Sequence, residues 1–402
     1  MVERGKMGNA MTQTDAVSVA DQTDAVPASR LPAGIKPPAV MVPVLPTGDA
    51  ILPLLREMDE RHVYSNDGPL NQRFAAALAD LLQSRLTTPA RLHVATVSNG
   101  TVAIELALRL RARRGRFVIM PAYTFIATAQ AVTNAGFEPW FTDVDADNWA
   151  LTPEIAQELI ARLPELPAAI VAVSPFGAPI DQRAWNSFEE KTGIPVVLDM
   201  AAAALSLDGV GRVPACVSLH ATKMLGIGEG GAIVSEDADL IAAARSASSF
   251  GFEPGTRLAA RRGGNHRISE YAAAVGLTAL AHAAEKEFRL KALAKAYRHH
   301  LGDAPIDWHA GFGERWVSMT INIGIPAKHV NAVTAGLDER SIPWRRWWSR
   351  GCHTHPPFAT APRERLDVTD DLGLRIIGLP FHELLTDDQI ALVSETVRKG
   401  VS

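Results

Sequence analysis

The 402-residue sequence predicts an α/β fold, in which a large domain with a mostly parallel sheet precedes a smaller α+β domain. Strand and helix patterns alternate along most of the chain. Residues 168–173 and 196–198 are continuously apolar, as is typical of strands buried on both faces of a parallel sheet. Near residue 285 the pattern changes to a long, partly polar helix. We therefore predict a large domain over residues 37–285 and a small domain over residues 286–402.

Local signals predict the elements in chain order. Thr152 is a suitable helix N-cap, with Pro153 at the first helical position, and Thr386 opens a closing helix in the same way. Apolar periodicity predicts the other helices, over residues 73–82, 101–111, 125–134, 285–299 and 328–339. Short apolar runs predict strands over residues 117–120, 139–142 and 232–234, and alternation predicts a half-buried strand over residues 316–323.

Composition limits the function classes. The chain has 40 basic and 44 acidic residues, and this balance is not typical of a nucleic-acid-binding or polybasic membrane surface. Residues 1–36 lack apolar periodicity, which predicts a disordered tail. The two cysteines, Cys216 and Cys352, lie far apart and suit a reducing compartment. Without a membrane-length apolar run or a signal-peptide core, we predict a cytoplasmic protein with no membrane partner.

The most informative segment is Ser218-Leu219-His220-Ala221-Thr222-Lys223-Met224-Leu225-Gly226-Ile227-Gly228-Glu229-Gly230-Gly231. A lysine lies before a glycine-rich turn, and glycine lets a backbone come close to a flat ligand. A partly desolvated lysine amine can act as nucleophile and base. Two other interpretations are an ordinary solvated lysine and a dinucleotide fingerprint at Gly226, Gly228 and Gly231. The fingerprint needs a helix after its last glycine, whereas a strand pattern follows here.

Other polar groups follow predicted strands. Asp199 ends an apolar strand, at the sheet edge where α/β proteins bind ligands; a turn or N-cap role is the alternative. Opposite a pyridine nitrogen, this carboxylate would keep the nitrogen protonated. Residues 98–101 precede a helix and offer free N–H groups to a phosphate, or form a plain cap. Phe125 is a candidate for stacking on a flat ring, although isolated aromatic residues usually belong to the core.

An acidic turn from Asp143 to Asn148 resembles part of a calcium-binding loop. The sixth position of such a loop requires glycine, and Asn148 occupies it here. We interpret the turn as a strand end and predict no metal site.

These motifs, with residues 66–70 and 264–267, occur in the order typical of the DegT/DnrJ/EryC1/StrS sugar aminotransferases, which the chain resembles over residues 40–402. The resemblance implies the fold of fold-type-I pyridoxal-phosphate enzymes. It assigns Lys223 the covalent attachment of the cofactor and the proton transfer, Asp199 the pyridine nitrogen, and Phe125 the ring face. Gly100, Thr101 and Ser218 would bind the phosphate. Asn265 would reach the cofactor of a neighbouring subunit, which implies a homodimer with shared active sites.

The resemblance also has departures. The family usually has a glutamine three residues after the aspartate, where this chain has Ala202. Three tryptophans interleaved with arginines occupy residues 344–348. They suit either the core of the small domain or a nucleotide base and diphosphate. We favour the nucleotide, with Arg346 and Trp348 as substrate contacts and His353 as a substrate-side histidine.

The sequence thus predicts amination of a nucleotide-linked keto-deoxysugar, with L-glutamate as donor and dTDP-4-keto-6-deoxyhexose as the first acceptor to consider. Two alternatives stay open at this point. A sugar dehydratase is disfavoured because dehydratase relatives have histidine in place of the lysine. A non-catalytic sugar-nucleotide-binding regulator is disfavoured by Lys223, Asp199 and Asn265, although Ala202 gives it some support.

Overall fold

The computed structural model describes residues 36–86, 91–209, 211–253 and 255–402. The predicted N-terminal tail lies outside the described residues, except for Lys36. The α/β prediction is confirmed: a seven-stranded sheet is covered by helices, and a separate three-stranded antiparallel sheet lies in the C-terminal part.

The large sheet has the strand order β1-β7-β6-β5-β4-β2-β3. Its β7 is antiparallel to both neighbours, and the other adjacent strands pair in parallel. The central strands β4, β5 and β6 are buried along their whole length, which explains their continuously apolar sequence. The strands are β1 (His93–Val97), β2 (Phe117–Pro121), β3 (Glu138–Thr142), β4 (Ala169–Val173), β5 (Val196–Asp199), β6 (Ala215–Ser218) and β7 (Gly231–Ser235).

Helices cover this sheet and begin at polar caps that the sequence supplies. Asn99, Thr152 and Asp181 each accept a hydrogen bond from the first turn of the helix that follows. The helices before the C-terminal part are α1 (Gly48–Arg61), α2 (Pro69–Gln83), α3 (Gly100–Arg111), α4 (Ile126–Asn134), α5 (Pro153–Ile160), α6 (Gln182–Thr192), α7 (Ala238–Ser248) and α8 (Glu270–Ala281).

The C-terminal part contains α9 (Ala283–Leu301), β8 (Asp307–Trp308), β9 (Ile321–Gly324), α10 (Val330–Glu339), α11 (Asp367–Arg375), β10 (Ile376–Leu379) and α12 (Asp387–Val401). The cap predicted at Thr386 is present, and the structure adds a capping box in which the Gln389 side chain accepts from the Thr386 N–H. The division at residue 285 stays a prediction, since α9 runs continuously through it.

The predicted strand over residues 316–323 is wrong in its first half, because β9 begins only at Ile321. Trp316, Val317 and Met319 are all buried, so their spacing reflects burial on every side rather than a strand with one exposed face. Between them, Ser318 Oγ donates to the Phe176 carbonyl at 2.6 Å and ties this segment to the connection after β4.

The C-terminal segment packs back onto the large sheet beside the ends of β2 and β3. The Cys352 N–H donates to the Ala122 carbonyl at 2.8 Å. The Asp143 carboxylate accepts from the backbone N–H groups of Val368 and Thr369, both at 2.8 Å, and so holds the start of α11. Within the described ranges, the model contains no helix with the length and apolar character to cross a membrane.

Candidate active site at the carboxyl ends of the strands

The strongest sequence candidates lie at one edge of the large sheet. Asp199 is the last residue of β5, and Ser218 is the last residue of the neighbouring β6. Gly100 opens α3 after β1, and Phe125 follows β2 immediately before α4. Parallel strands place their carboxyl ends at a common edge, and the fold therefore brings residues more than 100 positions apart into one region.

Asp199 is buried, and both of its carboxylate oxygens have donors. Thr128 Oγ1 donates to Oδ2 at 2.7 Å, and the Ala201 N–H donates to Oδ1 at 3.1 Å. Burial raises the pKa of this carboxyl, while the two hydrogen bonds and the charge of Lys223 act in the opposite direction. Asp199 is therefore an oriented carboxylate that a cationic ligand group would stabilise.

Lys223 lies in the loop between β6 and β7, and backbone hydrogen bonds join the two sides of this loop. The Ala221 N–H donates to the Gly228 carbonyl at 2.7 Å, and the Ile227 N–H to the Leu219 carbonyl at 2.8 Å. A Cβ at Gly226 would lie 2.7 Å from the Ala221 carbonyl oxygen, a close approach that only glycine permits here. The last glycine opens β7 rather than a helix, which is unlike a dinucleotide fingerprint.

The amine of Lys223 and the carboxylate of Asp199 lie in one electrostatic environment. Burial lowers the pKa of Lys223, and the charge of Asp199 partly restores it. Each group thus contributes to the pKa of the other, which places the amine within electrostatic reach of the carboxylate. A lysine with a lowered pKa has a larger neutral fraction and is a better nucleophile and base.

A candidate anion site lies beside this pair. Asn99 Oδ1 accepts from the Val102 N–H at 2.9 Å, whereas the N–H groups of Gly100 and Thr101 have no acceptor among the described residues. A Cβ at Gly100 would lie 2.9 Å from Ser218 Cβ, so α3 begins directly against the end of β6. Free N–H groups, a hydroxyl and the helix dipole together suit a phosphate.

Phe125 is 54% exposed although it is a large apolar residue. The core interpretation considered from the sequence therefore does not apply to it. Thr128, three residues further on, bonds Asp199, so Phe125 belongs to the segment that borders the candidate pair, and its exposed ring is available for a flat ligand.

Two buried threonines were not found from the sequence. The hydroxyl of Thr124 lies 2.9 Å from that of Thr128, which in turn donates to Asp199. Threonine in an apolar helical segment is too common to carry a signal, and residues 128 and 199 meet only because the start of α4 lies at the carboxyl end of β5.

At the position of the family's glutamine, Ala202 provides only a methyl group. Its carbonyl oxygen would lie 2.7 Å from a Cβ at Gly177, so the backbones of two loops are in close contact there.

The three candidate substrate residues lie in the C-terminal segment. His353 Nε2 is 3.3 Å from Asp370, and burial is the main cause that lowers the pKa of this histidine. Trp348 stacks on Phe176 with ring centroids 3.8 Å apart, which uses one face of the indole. The Arg346 guanidinium lies over the Trp344 ring, and no carboxylate pairs with it within the described ranges. Their roles toward a substrate stay predictions.

Asn265 is exposed and lies next to its own chain's anion site. The carbonyl of the following residue, His266, accepts from the Ser98 N–H at 2.6 Å. The Asn265 side-chain oxygen accepts from Arg267 Nε and Nη2, at 3.0 and 2.8 Å. Its amide N–H groups stay available for an anion.

The acidic turn has structural roles. Asp143 caps α11, and Asp145 Oδ1 accepts from the N–H groups of Asp147 and Asn148. No cluster of three or more metal-ligating side chains occurs in the part of the chain that the structure describes. A separate cleft of about 480 Å³ is lined by polar residues, Asp181, Arg183, Asp208, His309 and Arg315 among them, and by none of the predicted site residues.

Taken together, these residues fit pyridoxal phosphate. The amine of Lys223 suits covalent attachment, the carboxylate of Asp199 suits a ring nitrogen, and the exposed ring of Phe125 suits stacking. Gly100 lies so close to Ser218 that only glycine fits at this position. The two free N–H groups at the start of α3 suit the phosphate.

Comparisons with known proteins agree with this site. The family model of the DegT/DnrJ/EryC1/StrS aminotransferases matches residues 47–398. Protein Rv3402c of Mycobacterium tuberculosis is 33% identical over 351 residues, which is 84% of each chain. The UDP-N-acetyl-3-dehydro-alpha-D-glucosamine 3-aminotransferase of Acidithiobacillus ferrooxidans is 30% identical and covers 76% of this chain and 84% of its own. The structure of DesI with its TDP-sugar product has a TM-score of 0.80, at 29% identity, covering 92% of this chain and 94% of that one.

Proposed function

Because the chain belongs to the DegT/DnrJ/EryC1/StrS aminotransferase family, we propose that it transfers an amino group from L-glutamate to the keto group of a nucleotide-linked deoxysugar. It is a pyridoxal-phosphate-dependent aminotransferase. Our first candidate acceptor is a dTDP-4-keto-6-deoxyhexose, aminated at C4. The observation that carries the proposal is the convergence at one sheet edge of the buried Asp199 carboxylate at the end of β5, the Lys223 loop after β6 and the free N-terminus of α3.

Each residue has a separate task in this proposal. When bound, pyridoxal phosphate supplies an electron sink for a carbanion at the donor's α-carbon. Lys223 holds the cofactor and then, as a neutral amine, takes the proton from that α-carbon. Asp199 keeps the ring nitrogen protonated, and Phe125 covers one face of the ring. Gly100, Thr101 and Ser218 hold the phosphate and so fix the orientation of the ring.

The acceptor is proposed from chemistry and from two relatives. One relative is named as acting on a UDP-linked sugar at C3, and DesI was crystallised with a TDP-sugar product. Arg346, which has no carboxylate partner in the described part of the chain, offers a cation for a diphosphate. Trp348 and His353 would contact the same substrate as Arg346. Asn265 would complete the phosphate site of a second subunit in a homodimer.

The attachment of the cofactor is tested by borohydride reduction. We expect reduction in the presence of pyridoxal phosphate to fix the cofactor to the peptide that contains Lys223, as identified by mass spectrometry. Lys223→Ala should abolish both trapping and transamination, since Lys223 is the only amine of the described residues that affects the pKa of Asp199. Lys191→Ala, at an exposed lysine in the last turn of α6, is the matched control and should leave both unchanged.

The reaction is tested in two halves. Saturating L-glutamate should remove the cofactor's visible absorption band and release 2-oxoglutarate; a band that persists would contradict transamination and favour a binding protein. The loaded enzyme is then given dTDP-4-keto-, dTDP-3-keto- and UDP-3-keto-sugars, and products are identified by mass spectrometry. Amination of the UDP-linked or C3 acceptor alone would overturn the first candidate acceptor while keeping the enzyme class. Loss of a hydroxyl without amination would indicate a dehydratase.

A further inference from the structure

A buried chain of hydroxyl groups ends on Asp199. Thr124 and Thr128, on either side of the start of α4, are both buried, and their hydroxyl oxygens are 2.9 Å apart. Thr128 Oγ1 is 2.7 Å from Asp199 Oδ2. Neither threonine has a part in the mechanism above, and most buried hydroxyl groups in proteins have a hydrogen-bond partner.

The donor and acceptor of each of these hydrogen bonds follow from the number of protons that the hydroxyl groups carry. An ionised carboxylate only accepts hydrogen bonds, so the single hydroxyl proton of Thr128 is committed to Asp199. Thr128 Oγ1 then accepts, and Thr124 donates its proton to it. Asp199 Oδ1 is occupied in the same manner by the Ala201 N–H at 3.1 Å. Each carboxylate oxygen therefore has one donor from the protein and keeps acceptor capacity for a further donor.

We propose that Thr128 is the positioning residue of Asp199: its hydroxyl bond to Oδ2 holds the carboxylate ionised and aimed at the ring nitrogen of pyridoxal phosphate. The proposal rests on the placement of the cofactor given above. It assigns the residue a role in the choice between a protonated and an unprotonated ring nitrogen, which is distinct from a role in folding. Thr124 supports it by donating its own hydroxyl proton to Thr128 Oγ1.

The test compares two ligands in the same protein. One is pyridoxal phosphate, and the other is its carbocyclic analogue, which has C–H in place of the ring nitrogen and cannot bond to Asp199. We expect Thr128→Val, which keeps the shape and removes the hydroxyl, to weaken binding of pyridoxal phosphate about tenfold or more, the scale of a hydrogen bond to a charged group. Binding of the analogue should change by less than about twofold, well under the tenfold that corresponds to ~1.4 kcal/mol.

Two variants separate positioning from folding. Thr128→Ser restores the hydroxyl and should restore the preference for pyridoxal phosphate. Thr133→Val, on the same helix, removes a hydroxyl that bonds only the Ala129 carbonyl, and should leave the preference unchanged. In the Val variant the acid limb of pyridoxal-phosphate binding should also move to higher pH, because the lost donor no longer favours the ionised carboxylate.

Each result has one meaning. Equal weakening of both ligands in Thr128→Val would assign the residue a structural role and overturn the proposal, as would an unchanged preference. If the unmodified protein itself does not prefer pyridoxal phosphate to the analogue, or if borohydride does not label Lys223, the placement of the cofactor fails and this inference fails with it. If the wild type prefers pyridoxal phosphate to the analogue and Thr128→Val keeps this preference, only the inference about Thr128 is contradicted.

Discussion

At the scale of single residues, Lys223 and Asp199 have opposite shifts with one main cause. Burial favours the neutral form of both groups, so it lowers the pKa of the amine and raises that of the carboxyl. Each charge partly offsets the shift of the other. A ligand that brings a cationic nitrogen to Asp199 and takes up the amine of Lys223 would relieve both penalties, which ties cofactor binding to the stability of the fold.

This link predicts a stability change in the cofactor-free protein. Because the pKa of Asp199 is raised on folding, the folded state holds this proton more tightly than the unfolded chain does. Stability is therefore lost as the pH rises from the ordinary carboxyl range, about 4, through the raised pKa. Asp199→Asn has no such proton to lose. We expect the cofactor-free variant to gain thermal stability relative to the wild type as the pH rises from 5 to 8.

Calorimetry without cofactor over this pH range measures the effect, with Asp59→Asn on the exposed face of α1 as the control. The same Asp199 variant should lose transamination by about 10²–10³-fold, the usual consequence of removing one preorganised electrostatic partner. A gain in stability that is equal at every pH would show that the proton of Asp199 is not its source.

The single-residue predictions from the sequence depended on chain position. Asp199 was found because an apolar strand ended in a carboxylate, and Lys223 because glycines followed it. Thr128 could not be found in this manner, since its partner lies 71 positions away and the contact requires the start of α4 to lie at the carboxyl end of β5. The exposed ring of Phe125 also differed from what its residue type suggested, because exposure depends on what the rest of the fold leaves uncovered.

At the scale of elements, the candidate phosphate site depends on how closely α3 approaches β6 and β7. A Cβ at Gly231 would lie 2.4 Å from the Asn99 carbonyl carbon, and one at Gly100 would lie 2.9 Å from Ser218 Cβ. Both distances are well below the 3.5–4.0 Å of ordinary carbon contacts. The two glycines therefore permit the start of a helix to contact two strand ends.

Gly100→Ala tests this approach. The added methyl group forces α3 and Ser218 apart, and overpacking of this kind costs about 1–3 kcal/mol. We expect binding of pyridoxal phosphate to weaken about tenfold, with a smaller effect on pyridoxal, which lacks the phosphate. Gly48→Ala is matched because Gly48 also opens a helix, but a Cβ there meets nothing within 4 Å. Fluorescence titration measures both ligands; equal effects of the two substitutions would contradict the site.

The elements themselves were predictable where they were long or capped. The helices at Thr152 and Thr386 begin where their caps predicted, and the alternation of strands and helices indicated the parallel sheet. The strand predicted from residue 316 was wrong because alternation of apolar residues has the same appearance in a buried irregular segment. The antiparallel insertion of β7 between β1 and β6 has no local signal, since strand order depends on long-range pairing.

At the scale of the whole molecule, several exposed apolar side chains lie close to Asn265 in the sequence. Phe250 is 45% exposed and Leu258 is 64% exposed, and Tyr271 stacks on Tyr64 at the surface with centroids 6.3 Å apart. Phe250 is also close to Asn265 in space, because Arg267 bonds the Asn265 side chain and lies over the Phe250 ring. An exposed apolar side chain at such a place favours an interface. These observations support the homodimer of our proposal, in which Asn265 would face the site of a second subunit.

The position of Asn265 beside its own Ser98 allows a competing arrangement, in which it binds the phosphate of its own chain. A heterodimer of Lys223→Ala and Asn265→Ala subunits, isolated with two affinity tags, distinguishes the two. If Asn265 acts across the interface, the subunit with Lys223 receives an intact Asn265 from its partner, and one complete site forms per dimer. We then expect one borohydride-trapped cofactor per heterodimer and about half of the wild-type activity, one of two sites. If Asn265 acts within its own chain, neither site is complete and the heterodimer is no more active than its parents.

The control is a heterodimer of Lys223→Ala with the Lys223→Ala, Asn265→Ala double variant. It has no Lys223 amine in either site and should trap no cofactor in either arrangement. A protein that elutes as a monomer in light scattering would exclude the shared site altogether.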